Sequence, residues 1–286
     1  MKIYNSKKLL DGLVFPESPR WNQNKLWFTD IYSNRIFSAN PNGKTESEYN
    51  LPAIGFDWLP DGSLVYIERS LEHNRIMKYS DGNLEIYCDL KSLSPFQFND
   101  MTIDSHGNIY TGSTGNKMDN LNQIDKTKTA PLVLKPYNKH PVVVAENLNF
   151  PNGIAISHDN KKLIVAETFT GKLTEFTINF DGTLSNRQIF AQLDNIYTPD
   201  GLFIDLDGAV WVGAGINCCI RVKKGGEITH KINTIGHRCN ACSMDNKGTI
   251  YLCTRGKKNP DPIDLSHKSG MIEVVTDNFI SNAGCP

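Results

Sequence analysis

Short runs in which apolar and polar residues alternate recur along the whole chain, and no segment keeps the 3.6-residue period of an amphipathic helix for long. The runs are rich in β-branched and aromatic residues, as strands are. Six of them read KLWFTDI, SLVYIER, NIYTGST, KLIVAET, AVWVGAG and TIYLCTR. The pattern therefore predicts an all-β protein that is built from many short strands.

Each of these six runs follows a two-residue turn signal. The signals are Asn24-Lys25, Asp61-Gly62, His106-Gly107, Asp159-Asn160, Asp207-Gly208 and Lys247-Gly248. Most contain Gly or Asn, which tolerate the positive φ that tight hairpins need. We call the position seven residues before the first residue of each signal the slot. The slots hold Glu17, Ile54, Asn99, Asn152, Asp200 and Asn240, so five of the six carry a side-chain oxygen.

The slots divide the chain into six repeats. Successive slots are 37, 45, 53, 48 and 40 residues apart, which matches the length of a four-stranded propeller blade. We therefore predict a six-bladed β-propeller, a single closed domain over residues 1–286. The first run, KIYNSKKLL, should complete the last blade beside GMIEVVTDN and close the ring. A two-sheet sandwich or two small β domains would explain the fixed offset less well.

The composition excludes several classes of protein. The 286 residues include 30 basic and 31 acidic ones, for a formal charge of −1, so nothing indicates a nucleic-acid-binding surface. No apolar run reaches the roughly 18 residues of a membrane-spanning helix. The first residues do not read as a secretory signal, and seven cysteines are an odd number, which favours reduced thiols. We expect a cytoplasmic protein without nucleic-acid or membrane partners; its oligomeric state is left open.

In a propeller the first strand of each blade lines the central channel, so the slots would meet around one axis. Glu17, Asn99, Asn152 and Asp200 would then bring together two carboxylates and two amides. Carboxylates that face each other repel unless a positive charge neutralises them. All-oxygen ligands suit one divalent cation, with Ca²⁺ favoured and Mg²⁺, Mn²⁺ or Zn²⁺ possible. The alternative is that these residues only form turns at the blade entrances.

Four motifs give the chain a resemblance to a known family. FPESPRW, FNDMTIDSHGNIYTGS, FPNGIAISHDNKKLIVAET and TPDGLFIDLDGAVWVG occur in the order typical of the gluconolactonase, senescence-marker (regucalcin) and luciferin-regenerating-enzyme family, over residues 12–255. The resemblance implies a six-bladed propeller with one divalent metal at the channel mouth and hydrolysis of a lactone. It also implies that Glu17, Asn152 and Asp200 bind the metal and that Asp200 is the general base.

The same resemblance suggests substrate-binding residues. Asn99 and the adjacent Asp100 match the motif that lies near metal and substrate. Sugar-lactone members usually carry Arg two residues before that Asn, whereas this chain has Gln97, which offers neither a charge nor a rigid fork. Asn240 also replaces a small hydroxyl residue in the last slot. Both changes indicate an altered lactone or ester substrate.

Two polar segments, 114–130 and 255–268, break the blade rhythm. They are read first as surface loops, although loops over a channel mouth often set specificity. Lys117, Met118 and Asp119 are weaker candidates for substrate contacts.

The cysteine pairs Cys218-Cys219 and Cys239/Cys242 could in principle bind zinc. Because side chains alternate along a strand, Cys218 and Cys219 should face opposite ways, so buried structural thiols are favoured.

Three functions remain open at this point. The leading one is a metal-dependent lactonase, in which the cation polarises the carbonyl and water attacks. Either Asp200 takes the proton from water or the cation supplies hydroxide. The second is a non-catalytic propeller that binds a partner or calcium. The third, a quinone-dependent oxidoreductase, lacks a cationic cluster in the sequence for the cofactor's acid groups.

Overall fold

The computed structural model describes residues 1–119, 123–256 and 268–276, and strands make up most of their regular structure. Short 3₁₀ turns occur at Ile31–Ser33 and Thr168–Thr170. No helix in the described ranges is long and apolar enough to cross a membrane. The strands are β1 Lys2–Asn5, β2 Lys7–Leu13, β3 Pro16–Asn22, β4 Lys25–Asp30, β5 Arg35–Ala39, β6 Thr45–Tyr49, β7 Ala53–Trp58, β8 Leu64–Glu68, β9 Arg75–Ser80, β10 Asn83–Asp89, β11 Phe98–Ile103, β12 Ile109–Ser113, β13 Ala130–Lys135, β14 Val142–Leu148, β15 Pro151–Ile156, β16 Lys162–Glu167, β17 Lys172–Ile178, β18 Leu184–Gln192, β19 Leu202–Ile204, β20 Val210–Gly213, β21 Cys218–Val222, β22 Ile228–Asn233, β23 Arg238–Met244, β24 Ile250–Arg255 and β25 Gly270–Val275.

These strands form six sheets arranged in a ring. Four sheets run in chain order, β3 to β6, β7 to β10, β11 to β14 and β15 to β18; the other two are β19-β20-β21-β22-β1 and β23-β24-β25-β2. Each innermost strand contacts the next, from β3 through β7, β11, β15, β19 and β23 back to β3. The predicted six-bladed β-propeller is therefore confirmed.

Each predicted turn signal lies in the hairpin between the first two strands of a sheet. In three sheets the turn is held by an equivalent aspartate: Asp104, Asp205 and Asp245. One carboxylate oxygen of each accepts two backbone N–H bonds from its own turn at 2.8–3.1 Å. These bonds explain why Asp recurs just before the turns, since its side chain satisfies backbone donors that a tight turn leaves unpaired.

The apolar core is divided among the gaps between neighbouring sheets. Six buried clusters fill the six gaps of the ring, one to each gap. The cluster between the first and last sheets includes Phe28 and Tyr251, so the ring is closed by apolar packing as well as by strand pairing. The outermost strands β10 and β14 are largely exposed, because they have a neighbour on one edge only.

The amino-terminal run closes the ring in a way that was only partly predicted. β2 pairs antiparallel with β25, as expected for the last sheet. However, KIYNSKKLL is not one strand, because β1 pairs parallel with β22 in the preceding sheet. The chain passes between the two sheets at Ser6, whose hydroxyl donates to the Glu273 carboxylate and to the Asn233 carbonyl. The amino-terminal run therefore joins the last two sheets to each other.

A buried ion pair supports the fifth sheet. Arg221 donates from Nε to Oδ2 of Asp205 at 2.7 Å, and the two side chains are 6% and 0% exposed. Trp211 donates its indole N–H to the same oxygen at 3.1 Å. Removal of one member of a buried pair leaves the other charge without compensation, which is the costly case for such pairs.

We expect Arg221→Met to lower the free energy of unfolding by about 3–5 kcal/mol, because Asp205 would stay buried without its cation. The matched control is Lys8→Met. Lys8 pairs with Asp11 on the surface, where both side chains are more than half exposed, and its loss should cost less than about 1 kcal/mol. Urea unfolding of both variants checks the difference; equal losses would contradict it.

Candidate active site

The slots coincide with a recurring irregularity of the sheets. In five of the six sheets the pairing of the first two strands shifts register around the slot. In the remaining sheet Asp200 lies just ahead of β19, and its N–H donates to the Gly213 carbonyl at 2.9 Å. A β-bulge bends the strand and re-aims a side chain. The register shifts therefore explain how a side chain at the start of an innermost strand can point into the central channel instead of toward a neighbouring sheet.

Two glycines that follow slots allow neighbouring innermost strands to approach closely. A Cβ at Gly153 would lie 2.3 Å from the carbonyl oxygen of Asp200, and one at Gly201 would lie 2.4 Å from the Cβ of Ala241. No side chain fits at either place. In Asn152-Gly153 and Asp200-Gly201, the first residue is a polar slot. The glycine after it allows the close strand contact that brings this slot near the slot of the next sheet.

The entrances of the innermost strands surround a cavity of about 350 Å³. Four polar slots, Glu17, Asn99, Asn152 and Asp200, line it together with the apolar slot Ile54. Aromatic and aliphatic side chains form another part of the wall. It includes Phe15, Ile31, Tyr32, Leu71, Phe98, Met118, Ile124, Phe150 and Phe169. The structure therefore brings the four polar slots together in one cavity, and their role as a binding site remains a prediction.

Hydrogen bonds join the amide slots to Asp200. Asn99 donates from Nδ2 to Oδ1 of Asn152 at 2.8 Å. Asn152 donates to the Thr168 hydroxyl at 3.2 Å and also hydrogen-bonds the Asp200 carboxylate. Thr168 in turn donates at 2.9 Å to the carbonyl of Pro199, the residue before Asp200 in the chain. This network fixes the two amides relative to the carboxylate.

The two carboxyl groups of the site are held in an unfavourable electrostatic environment. Burial raises the pKa of Asp200 to about 6, although Arg238 and Arg255 act in the opposite direction. Desolvation, and next the charge of Asp200, raise the pKa of Glu17 well above its ordinary value. Within the described part of the chain, the Glu17 carboxyl group accepts one hydrogen bond, from the Ser18 N–H to Oε2 at 3.0 Å. A cation between these groups would remove the cost of ionising both.

The residues present fit a hard divalent cation. Glu17 and Asp200 supply carboxylate oxygens, and Asn152 and Asn99 supply amide oxygens, which is the donor chemistry that Ca²⁺ and Mg²⁺ prefer. The described residues contain no group of three or more His, Cys, Asp or Glu side chains arranged to hold a metal, and half of this donor set consists of amides. The cation is therefore an inference from chemistry and charge.

The other predicted substrate contacts are placed differently from one another. Gln97 lines the cavity, where its amide donates to the Ser70 carbonyl at 3.1 Å. Asp100 also reaches the lining but is 7% exposed, and it accepts from Arg20 at 3.2 Å and from its neighbour's N–H at 2.8 Å. Asn240 is 0% exposed and is not among the lining residues. It contacts the site indirectly, since it accepts from Arg255 at 3.3 Å.

Of the three candidate contact residues in the first loop, only one lines the cavity. Met118 lines the cavity, whereas Lys117 and Asp119 are exposed and lie outside its lining. Residues 257–267 of the second loop lie outside the described residues. The six cysteines within the described ranges are buried and unbridged. Cys218 and Cys219 belong to apolar clusters on opposite faces of their sheet, as the alternation predicted.

Two arginines in the site were missed by the sequence reasoning. Arg238 and Arg255 both line the cavity, and Arg238 lies 3.9 Å from Oδ2 of Asp200. A signal for one of them was available, because Arg238 stands two residues before slot Asn240, just as Gln97 stands two before Asn99. Nothing comparable marks Arg255, which reaches the site from the second strand of its sheet.

Comparison with known proteins agrees with this architecture. The SMP-30/gluconolactonase/LRE-like region model matches residues 15–258. A solved luciferin-regenerating enzyme superposes with a TM-score of 0.79 at 18% identity, covering 97% of this chain and 96% of that one. A calcium-binding protein, regucalcin, from Agrobacterium tumefaciens gives 0.77 at 16% identity, covering 100% and 97%. At these sequence identities, the two structural similarities show a shared fold and nothing more.

A lactonase is found among the sequence relatives. Lactonase drp35 from Staphylococcus aureus is 26% identical over 218 residues, which are 71% of this chain and 62% of that protein. The chain therefore spans less than two thirds of the length of this relative.

The raised pKa of Asp200 predicts a pH-dependent stability. An unfolded aspartate titrates near pH 4, whereas folded Asp200 keeps its proton to about pH 6. As pH rises the unfolded chain loses this proton first, so ionisation favours unfolding. We expect the cation-free protein to lose about 1–3 kcal/mol from this residue as pH rises from about 4 to above 6.

Urea midpoints of the wild type and Asp200→Asn, measured in chelator at about pH 4.5 and about pH 7.5, isolate this contribution. The wild type should lose more stability than the variant over this interval. Parallel pH profiles of the two proteins would contradict the prediction.

Proposed function

Since this chain belongs to the SMP-30/gluconolactonase/LRE-like family, we propose that it is a divalent-cation-dependent hydrolase that opens a lactone or a related cyclic ester. The observation that carries the proposal is the pair of desolvated carboxyl groups, Glu17 and Asp200, which share one cavity with Asn99 and Asn152. The name of the staphylococcal relative supports the lactonase activity. The description of the matching family, which includes gluconolactonase, supports the same substrate class.

In this proposal Glu17, Asn152 and Asp200 hold the cation, and Ca²⁺ is favoured by the all-oxygen donors. When bound, the cation would polarise the lactone carbonyl and stabilise the charge that develops on its oxygen. Asn99 keeps Asn152 oriented through their 2.8 Å hydrogen bond. The amides of Asn99 and Gln97 are neutral donors available to the substrate, and the aromatic and aliphatic residues of the lining can pack against its apolar face.

Asp200 is the proposed general base. As a carboxylate it takes a proton from water while the water oxygen forms a bond to the carbonyl carbon. The ring C–O bond then breaks, and the proton returns to the departing alkoxide. Arg238 and Arg255 favour the ionised form of Asp200, because both lower its pKa against the effect of burial. The product is a hydroxy acid.

Replacement of Asp200 by Asn should lower kcat for lactone opening by about 10²–10⁴-fold, because the amide cannot accept the proton of the attacking water. Circular dichroism should show an intact fold. A matched control is Asp181→Asn, at the exposed β17–β18 turn, where the carboxylate accepts hydrogen bonds from the N–H and the hydroxyl of Thr183. A pH-stat assay on a lactone panel measures both. Normal turnover by Asp200→Asn would remove this residue from the mechanism.

Replacement of Glu17 by Gln should weaken Ca²⁺ binding by on the order of tenfold or more, since one of two ligand charges is lost. Isothermal calorimetry measures the affinity. The control is Glu48→Gln, whose side chain is 42% exposed and pairs with Arg35 on the surface. Unchanged affinity in Glu17→Gln would mean that the site is misplaced. Cation binding without turnover of any lactone would favour a binding protein over an enzyme.

A further inference from the structure

Four cationic side chains line the cavity: Arg69, Lys126, Arg238 and Arg255. Among the residues that the structure describes, only Arg238 has an acidic partner within 4 Å, and that contact, to Asp200, is 3.9 Å long. The other three lie over aromatic rings. The distances are 4.3 Å from Arg255 to Phe15, 5.4 Å from Arg69 to Tyr32 and 5.6 Å from Lys126 to Phe169. The lining therefore carries four cations and three carboxylates, and in the described residues only one of these cations lies within 4 Å of a carboxylate.

Two of these cations are held directly opposite each other. Arg238 and Arg255 are cross-strand partners in the register of β23 and β24. Like charges at such positions destabilise a sheet. The Nε atom of Arg238 is buried without a hydrogen-bond partner in the described part of the chain. Burial, followed by the charge of Arg238, lowers the pKa of Arg255 to about 10.

The neighbouring groups hold the arginines in place without neutralising them. Asn240 accepts from Nε of Arg255 at 3.3 Å, and the Phe15 ring packs against the same guanidinium. The third carboxylate of the lining, Asp100, is bound to Arg20 at 3.2 Å. If a divalent cation offsets Glu17 and Asp200, as proposed above, no carboxylate of the described lining remains for the two arginines.

We propose that Arg238 and Arg255 together bind an oxyanion group of the substrate, so that the enzyme acts on an anionic lactone. The guanidinium fork matches the planar oxygens of a carboxylate and also suits a phosphate monoester. Because Arg238 lies beside Asp200, the proposed general base, an oxyanion bound by the arginines would lie next to the lactone ring. The inference deepens the proposed lactonase function and depends on it for the reaction, but not for the binding of the anion.

Matched substrates test the proposal. A five-membered lactone bearing a ring carboxylate is compared with its neutral carboxamide, and a phosphorylated aldonolactone with the unphosphorylated one. We expect the wild type with Ca²⁺ to prefer the anionic member of at least one pair by about tenfold or more in kcat/KM, as a hydrogen-bonded charge contact would give. The pair that shows the preference distinguishes carboxylate from phosphate.

Variants assign the preference to the two arginines. Arg238→Gln and Arg255→Gln should each bring the anionic-to-neutral ratio close to one, whereas Arg238→Lys should keep part of it. The control Arg35→Gln, at an exposed surface pair, should leave the ratio unchanged. If Arg255→Gln does not fold, Arg238→Gln alone tests the inference, because the Arg238 side chain is 35% exposed and its replacement disturbs the fold less. An unchanged ratio in Arg238→Gln overturns the inference while leaving the lactonase proposal intact.

Binding separates the two proposals if no lactone is opened. Calorimetry with a hydroxy-dicarboxylate and with a phosphorylated hydroxy acid, each with and without Ca²⁺, measures anion binding directly. Binding that is lost in Arg238→Gln but kept in Arg35→Gln supports the anion site, even though the lactonase proposal would then have failed. Absence of binding by the wild type, or equal binding by Arg238→Gln, overturns the inference.

Discussion

Two carboxylates cannot both be ionised inside a partly desolvated cavity unless positive charge lies close to them. Glu17 and Asp200 come from the first and fifth sheets and meet in one cavity at the centre of the ring. Closure of the ring produces this arrangement, because apolar clusters in the gaps between sheets fix where the innermost strands begin. The stability of the fold thus supports an electrostatically unfavourable centre, which is the condition under which a bound cation becomes useful.

Local backbone irregularity gives the centre its geometry. Register shifts accompany the slots Glu17, Ile54, Asn99 and Asn152, whose side chains line the cavity. Glycines after Asn152 and Asp200 let adjacent strands touch. A regular ladder would place alternate residues on the two faces of each sheet, toward the neighbouring blades. The same feature therefore both interrupts strand pairing and creates a site, as bulges near functional centres commonly do.

The four cationic side chains of the lining give this cavity a means of binding an anionic ligand. Gln97 provides a neutral amide in the third sheet, and Arg238 provides a charge at the equivalent position of the sixth. Because the sheets are arranged around one axis, moving an arginine from one repeat to another shifts the charge around the cavity without changing the fold. Substrate preference can then change by substitution at equivalent positions, which is consistent with the anionic substrate we propose.

The sequence by itself determined the periodic part of this protein. Alternation, turn signals and the fixed offset predicted six sheets, and the slots identified Glu17, Asn99, Asn152 and Asp200, because these features repeat locally and each repeat carries its own signal. Only the tertiary structure decided how β1 and β2 divide between two sheets, that Asn240 lies behind Arg255, and that Arg238 and Arg255 face each other. Those outcomes depend on which strands are neighbours across the ring and on side-chain packing around the axis, and no local pattern of residues encodes either.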